Sequence, residues 1–429
     1  MRLPSDADLA WVRRFRRSVA ARIDDLTAIA GDELGRDPFE TVTSDIVPLL
    51  SACRWTEKHT RRVLRPRRVR GKSIWQLGQR HRAVRAPLGR VGIIATWNYP
   101  IQLMGVQLVH AIVAGNRVVV KPSERTPRTQ ALVLDLAREA GLSADRLSWT
   151  DATREAGEAM LREGSFDHVV FTGSTEVGRA IAGTLAETLT PSTLELSGCD
   201  SAVVLRDADP KLAARSIAYA LTLNGGRTCM APRRAIVSEG VLDAFVAELA
   251  TALDARREQI APGTDGPELA RAHALLEESG ARAIGSGWAR AGVGCESDSS
   301  LARGEHFGPV LAIVGVSSDG AAIELAKSYP QRLATAVFTR SRRRIDASDL
   351  GSGIVTINDC VIPTGHPGVS LGGTGPSGWG VTRGEAGLLA MTRGVNVSVT
   401  SGRIRTPTDP PSDAVAGRVT RFVRAWYGR

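Results

Sequence analysis

Residues 87–124 read PLGRVGIIATWNYPIQLMGVQLVHAIVAGNRVVVKPSE, and two strand–helix steps are visible in that run alone. Val91–Thr96 (VGIIAT) is a short apolar stretch suited to a buried strand, Ile101–Ala114 carries helical spacing, and Arg117–Lys121 (RVVVK) is β-branched. Further along, Thr126–Ala140 predicts a helix with Pro127 in its first turn, Asp167–Phe171 (DHVVF) a strand and Glu176–Thr188 a helix. Strands alternating with helices of this length predict a parallel, doubly wound α/β sheet. Upstream, residues 1–65 are helical in pattern, and 66–88, basic and broken by Gly and Pro, suggest extended or hairpin structure. The alternation resumes at Ala202–Leu205 and Pro210–Leu223, and again between Leu311 and Ile357, which predicts a second α/β domain.

Composition agrees with this architecture. A chain of 429 residues with 43% hydrophobic and 23% charged residues is globular, neither disordered nor collagen-like, and long enough for two or three domains. Its formal charge of +10 is carried by 50 arginines and only five lysines. Arginine spread over the whole length fits a coding bias better than a phosphate-gripping surface, although RRVLRPRRVRGK at 61–72 is a local concentration. Five cysteines with no Cys-x-x-Cys pair argue against a disulfide framework or a structural zinc, so no metal is expected, and they favour a reducing compartment. No apolar run reaches the ~18 residues of a membrane span, and the arginine-broken N-terminus is not a signal peptide. The expected location is the cytoplasm.

Three stretches carry chemistry. Phe171-Thr172-Gly173-Ser174-Thr175-Glu176-Val177-Gly178 follows a strand and opens a helix, where backbone N–H groups can face a phosphate. Its spacing is not G-x-G-x-x-G, and a merely tight connection is the alternative. Lys121-Pro122-Ser123-Glu124 sits at a strand's C-terminal end, where ligands bind in open α/β sheets, or else it is a solvated strand end. Asn224-Gly225-Gly226-Arg227-Thr228-Cys229 places a thiol on a glycine-rich loop, either as an exposed nucleophile or as a small buried hydrophobe. Glu195, inside the apolar run Leu194–Leu196, is either a general base with a raised pKa or a paired structural carboxylate.

Together these residues resemble the aldehyde dehydrogenase superfamily, and most closely its shorter, class 3-like branch. The matching stretches are PLGRVGIIATWNYP at 87–100, AGNRVVVKPSE at 114–124, FTGSTEVG at 171–178, LTPSTLELSG at 189–198, NGGRTCMAP at 224–232, EHFGPV at 305–310 and GGTGPSGWG at 372–380. They occur in the family's order. The resemblance implies two doubly wound parallel-sheet domains plus a small bridging and oligomerisation arm. It places a cofactor-binding domain at 1–198 (with 66–88 in the arm), a catalytic domain at 199–370, a return segment at 371–400, and a linker and basic helix at 401–429.

It also implies a chemistry. Cys229 would attack an aldehyde, with Asn98 and the Cys229 N–H holding the oxyanion. Hydride would pass to NAD or NADP, and Glu195 would activate the water that releases the carboxylic acid. Lys121 and Glu124 would hold the adenosine ribose, and Gly173, Ser174 and Gly178 the pyrophosphate, with Ser123 also expected to bind the cofactor. Glu305 and Phe307 would place the nicotinamide ribose and ring, and Trp97 is also expected to bind the cofactor. A homodimer is implied as well.

The chain departs from the family pattern at Thr96 (usually Pro), Arg227 (usually Gln), Ser197 (usually Gly) and Leu371 (usually aromatic), and its 230–304 region is trimmed. Arg227, beside Cys229 in sequence, is expected to lower the thiol's pKa or to bind an anionic substrate group. These departures motivate the alternative of a catalytically impaired binding or scaffold protein. The basic run at 61–72 motivates that of a nucleic-acid or anionic-surface binder, although no nucleic-acid partner is expected. Beyond a Pro-rich linker at Thr406–Asp413, Val415, Val419, Phe422, Val423 and Trp426 recur at helical spacing among arginines. Such a helix can lie on an anionic membrane, dock on a partner, or pack onto its own oligomer.

Overall fold

The computed structural model describes residues 4–71, 73, 76, 78–256, 266–341, 345–401 and 410–428. Half of the Pro-rich linker (406–409) and Lys72 of the basic run lie outside the described residues. The chain divides into two units, Met1–Leu64 with Ala86–Arg393, and Arg65–Arg85 with Gly394–Arg429.

The first unit contains two sheets, both mainly parallel, as the doubly wound reading requires. One runs in the order Gly378–Trp379, Ser192–Leu196, His168–Gly173, Arg90–Ile94, Arg117–Lys121, Leu147–Trp149, with only Gly378–Trp379 antiparallel. Arg90–Ile94, the first of these in the chain, lies in the middle: later strands are laid on one side, then on the other. That reversal is a topological switch point, and ligands bind outside the carboxyl ends of the strands there. The second sheet runs Arg282–Ile284, Arg290–Val293, Val310–Val316, Pro232–Ser238, Asp200–Val204, Ala334–Phe338, Ile354–Ile357, with only Arg282–Ile284 antiparallel.

Local chemistry explains the elements. The β-branched run at 117–121 has Val118 and Val120 fully buried, and they share a core with Val91, Ile93, Val133 and Leu134. Helix Gln102–Val113 is buried on every face, consistent with its nearly uninterrupted apolar sequence. Helix Pro127–Glu139 begins on its proline, and helix Thr175–Glu187 is capped by Ser174, whose hydroxyl accepts from Val177 N–H at 3.3 Å. The helical N-terminus comprises Asp6–Ala21, Ile23–Leu34, Pro38–Thr41 and Val47–Val63; Trp11, Phe15 and Val19 enter the core, and Trp11 Nε1 donates to the Ala137 carbonyl at 2.9 Å.

Several predicted boundaries move by one or two residues: the strands expected at Asp167–Phe171 and Ala202–Leu205 are His168–Gly173 and Asp200–Val204. The strand expected at Val91–Thr96 is Arg90–Ile94, because Thr96 turns out of the ladder and bonds with its hydroxyl to Asn98. The second unit holds a three-stranded sheet of Arg67–Arg68, Gln79–Pro87 and Thr392–Thr400, and helix Asp413–Tyr427.

Candidate active site

A cleft of about 1180 Å³ opens at the carboxyl ends of Arg90–Ile94, Arg117–Lys121, His168–Gly173 and Ser192–Leu196. Its lining includes Asn98, Glu195 and Cys229, and also Trp97, Lys121, Ser123, Glu124, Gly173, Ser174, Glu305 and Phe307. Residues far apart in sequence thus meet at the switch point. Gly178 is the exception. It does not line the cleft: a Cβ there would sit 2.3 Å from Leu196 Cδ2, so the glycine lets helix Thr175–Glu187 close onto the sheet.

The thiol is carried by a folded-back loop. After helix Pro210–Thr222 the chain reverses through Asn224 and Gly225, at φ 56° and 62°, and Gly226, at φ 80°. A Cβ on Gly226 would lie 2.5 Å from the Pro309 nitrogen, so only glycine fits there. Arg233 then clamps the loop, donating to the carbonyls of Gly226 (2.7 Å), Thr228 (3.1 Å) and Gly308 (2.7 Å). Cys229 is partly exposed, while the other four cysteines are buried. Burial pushes its thiol up to about 12, the carboxylates of Glu195 and Asp200 add to the rise, and the Arg383 guanidinium opposes it.

Asn98 is held on both sides. Its Oδ1 accepts from the Thr96 hydroxyl at 3.0 Å, and its Nδ2 donates to the Arg227 carbonyl at 2.9 Å. Its own carbonyl accepts from Asn224 Nδ2 at 2.8 Å and from Arg36, whose guanidinium pairs with buried Asp45 at 3.0 Å. With one N–H of Nδ2 given to the Arg227 carbonyl, the other remains for the cleft.

Glu195 is buried on strand Ser192–Leu196. The Thr382 hydroxyl donates to its Oε1, and the Thr172 hydroxyl donates to its Oε2 at 3.3 Å. Burial raises its pKa, and the Thr382 bond, the Arg383 charge and the Thr172 bond restrain the rise.

On the other side of the cleft, buried Lys121 pairs with Glu124, and Ser123 is fixed through its N–H to Gln130 Oε1 at 2.6 Å. Gly173 and Ser174 place the cleft at the N-terminus of helix Thr175–Glu187, where the dipole and free N–H groups suit a phosphate. Trp97 and Phe307 stand edge to face with centroids 5.8 Å apart, and Glu305 Oε2 accepts from Gln331 Nε2 at 3.2 Å. An elongated cleft with a lysine–carboxylate pair, a helix N-terminus and an aromatic pair fits a nicotinamide dinucleotide.

The expectation for Arg227 is overturned. Its side chain donates to the Asn224 carbonyl at 2.9 Å and the Leu34 carbonyl at 3.0 Å, and it is not among the residues lining the cleft. Burial and the neighbouring Arg36 and Arg125 lower its pKa to about 10. The cation that restrains the thiol's rise is Arg383, which also lies outside the cleft's lining, in a segment that local sequence gave no reason to single out. Ser197 replaces the family glycine without blocking the cleft: its hydroxyl donates to the Gly173 carbonyl at 3.4 Å, linking adjacent strands.

Comparison with known proteins decides what kind of site this is. The model of the aldehyde dehydrogenase family matches residues 3–273 and 292–397. The chain belongs to this family. A probable coniferyl aldehyde dehydrogenase of Pseudomonas aeruginosa is 30% identical over 87% of this chain and 82% of its own. An aldehyde dehydrogenase of family 3 from Dictyostelium discoideum is 28% identical over 95% and 91%, in keeping with the class 3-like branch. An indole-3-acetaldehyde dehydrogenase of P. syringae, solved with NAD+, superposes with a TM-score of 0.85 at 25% identity, covering 92% of this chain and 84% of that one. This aldehyde dehydrogenase is an oxidoreductase that oxidises aldehydes to carboxylic acids with NAD or NADP.

Proposed function

We propose that Cys229 is the nucleophile, Asn98 an oxyanion donor and Glu195 the base that completes each turnover. The observation that carries this is the meeting of the three side chains in one cleft, from the turn at 95–101, the strand Ser192–Leu196 and the loop at 223–231. Cys229 attacks the aldehyde carbon, its proton leaving to solvent. The developing alkoxide is met by the free N–H of the Asn98 amide, already fixed by Thr96 and Arg227, and by the Cys229 backbone N–H. NAD or NADP, when bound, supplies the hydride acceptor. Lys121, Ser123 and Glu124 hold its adenosine ribose, Gly173 and Ser174 its pyrophosphate, and Trp97, Glu305 and Phe307 its nicotinamide end. Glu195 then takes a proton from water, and the resulting hydroxide attacks the Cys229 thioester carbonyl. The carboxylic acid leaves and the thiolate returns.

The substrate class we infer is an apolar aldehyde. Cys229 packs against a cluster of Met230, Leu333, Ala334, Ile354 and Leu371, and Leu103, Leu333 and Leu371 line the cleft. That coniferyl aldehyde, a conjugated aromatic, names one relative supports this reading. The test is formation of reduced nicotinamide over a panel of apolar and carboxylated aldehydes, with Cys229→Ala as control. Turnover confined to carboxylated aldehydes, or undiminished in Cys229→Ala, would refute it.

The remaining proposals concern organisation. Residues 1–198 are read as the cofactor half and 199–370 as the catalytic half, 371–400 as the return segment and 401–429 as a linker and helix. A homodimer is supported by strand Thr392–Thr400, at the edge of its sheet with Val397 and Val399 exposed, and light scattering checks it; the cytoplasm is the location we propose. Among the described residues no helix is long and apolar enough to cross a membrane.

A further inference from the structure

Arg383 is placed in a way that its local role does not explain. It precedes helix Gly384–Ala390 with φ 59° and ψ 167°, a region that non-glycine residues enter only under constraint. The next residue is no freer, since a Cβ on Gly384 would lie 2.4 Å from the Gly368 carbonyl oxygen. The strained backbone turns the guanidinium inward. Its Nη2 donates to Gln102 Oε1 at 2.6 Å and its Nη1 to the Thr364 carbonyl at 3.3 Å, both neutral acceptors. Its Nε is buried and unpartnered. Among the described residues no carboxylate forms an ion pair with it. A buried cation without a counter-charge is costly, so a fold that strains its backbone to hold one has a use for the field.

The adjacent residue shows where the field goes. Thr382 is fixed by a two-bond bridge with Leu371, N–H to carbonyl at 2.7 and 2.8 Å, and its hydroxyl donates to Glu195 Oε1. The same dipeptide therefore grips the buried carboxylate with one side chain and sets a fixed positive charge beside it with the other. We propose that Thr382 and Arg383 are positioning residues: the hydroxyl orients the Glu195 carboxylate, and the guanidinium supplies the counter-charge that keeps the Glu195–Cys229 pair reactive near neutral pH. This rests on the roles given above to Glu195 and Cys229.

The surroundings support that sign. Glu195 faces Thr382, Thr172, Gln107 and Arg383, and Arg383 is the cation that favours its ionised form. The charged and titratable groups that act on Cys229 are Glu195, Asp200, Tyr99, Arg233 and Arg383. Arg233 likewise donates to carbonyls, those of Gly226, Thr228 and Gly308, and has an unpartnered Nε, but it is Arg383 that acts on both Glu195 and Cys229. Asp45, the other carboxylate that Arg383 feels, is already paired with Arg36 at 3.0 Å. Arg383 is thus the cation that the two members of the reacting pair share.

The test compares Arg383→Gln and Arg383→Lys with the parent enzyme, each confirmed folded by NAD+ binding. Two profiles are read: the rate of Cys229 alkylation by iodoacetamide against pH, and steady-state kcat against pH. In Arg383→Gln both profiles move to higher pH by about one unit, so alkylation at a fixed pH slows about tenfold. Arg383→Lys, which keeps the charge, stays near the parent profile. Thr382→Val moves the kcat profile and leaves alkylation unmoved. Should Arg383→Gln fail to fold, Gln102→Glu carries the test: a carboxylate against the guanidinium quenches its field and moves both profiles upward. Unmoved alkylation in the neutralised or quenched variant, or an equal shift in Arg383→Lys, overturns the proposal. Alkylation needs no turnover, so an enzyme that forms no reduced nicotinamide refutes the dehydrogenase roles separately.

Discussion

At the scale of single residues, the site is a balance between burial and fixed partners. Glu195 must be ionised to take a proton from water, yet burial raises its pKa. Steady-state turnover is therefore expected to fall as pH drops through that raised range, because protonated Glu195 is not a base. Glu195→Gln should keep a single burst of reduced nicotinamide and lose about 10²–10⁴-fold in steady-state rate. Rapid mixing separates the two phases, and an unchanged steady state would remove Glu195 from the mechanism. Asn98→Ala should lower the burst rate by about 10²–10³-fold, the usual effect of removing one oxyanion donor, with NAD+ affinity retained. Much of this was legible in sequence, because Cys229, Glu195 and Asn98 each sit in a short stretch with a recognisable pattern. What was not legible is direction. Arg227 is two residues from Cys229, but its guanidinium turns to the carbonyls of Asn224 and Leu34, whereas Thr382, 187 residues from Glu195, touches it. Sequence proximity carries no information about which way a side chain leaves a turn.

At the scale of elements, the catalytic strand is held from outside as well as inside. Gly378–Trp379 pairs antiparallel with Ser192–Leu196, Gly378 opposite Glu195. Gly378 has φ 103°, and a Cβ there would lie 1.9 Å from the Leu194 carbonyl oxygen. Gly378→Ala should therefore separate the two strands and destabilise the protein by about 1–3 kcal/mol, seen as a lower thermal midpoint. An unchanged midpoint together with unchanged kcat would show that the pairing contributes nothing. The strands and helices around residues 87–188 were readable because β-branched runs and helical spacing alternate cleanly there. The two-residue strand was not, since its pairing is set by a distant partner and by a glycine conformation that no periodicity reports. The end of Arg90–Ile94 moved for a related reason: Thr96 serves Asn98 better than it serves a ladder.

At the scale of the whole molecule, two parallel sheets bring a thiol loop over the switch point of the cofactor-side sheet, and buried charge there makes stability depend on pH. Asp200 is raised from 3.8 to about 7 by burial, partly offset by backbone N–H groups including Leu333 at 3.0 Å. A carboxyl whose folded pKa is raised stabilises fully below 3.8, and that contribution is lost as pH rises through about 7. Asp200→Asn should therefore gain on the parent enzyme between those limits and hold a constant difference above them, measured by denaturant unfolding at a series of pH values. A difference that is flat across the range would mean that Asp200 is not buried as a neutral acid.

The central claim is that the aldehyde is oxidised while covalently attached to Cys229. Its most direct test is intact-protein and peptide mass spectrometry of Glu195→Gln, quenched in acid after mixing with NAD+ and an apolar aldehyde. The account predicts one acyl group per active site, on the peptide that contains Cys229, in step with the burst of reduced nicotinamide. A burst without acylation of Cys229, or an equal burst in Cys229→Ala, would contradict it.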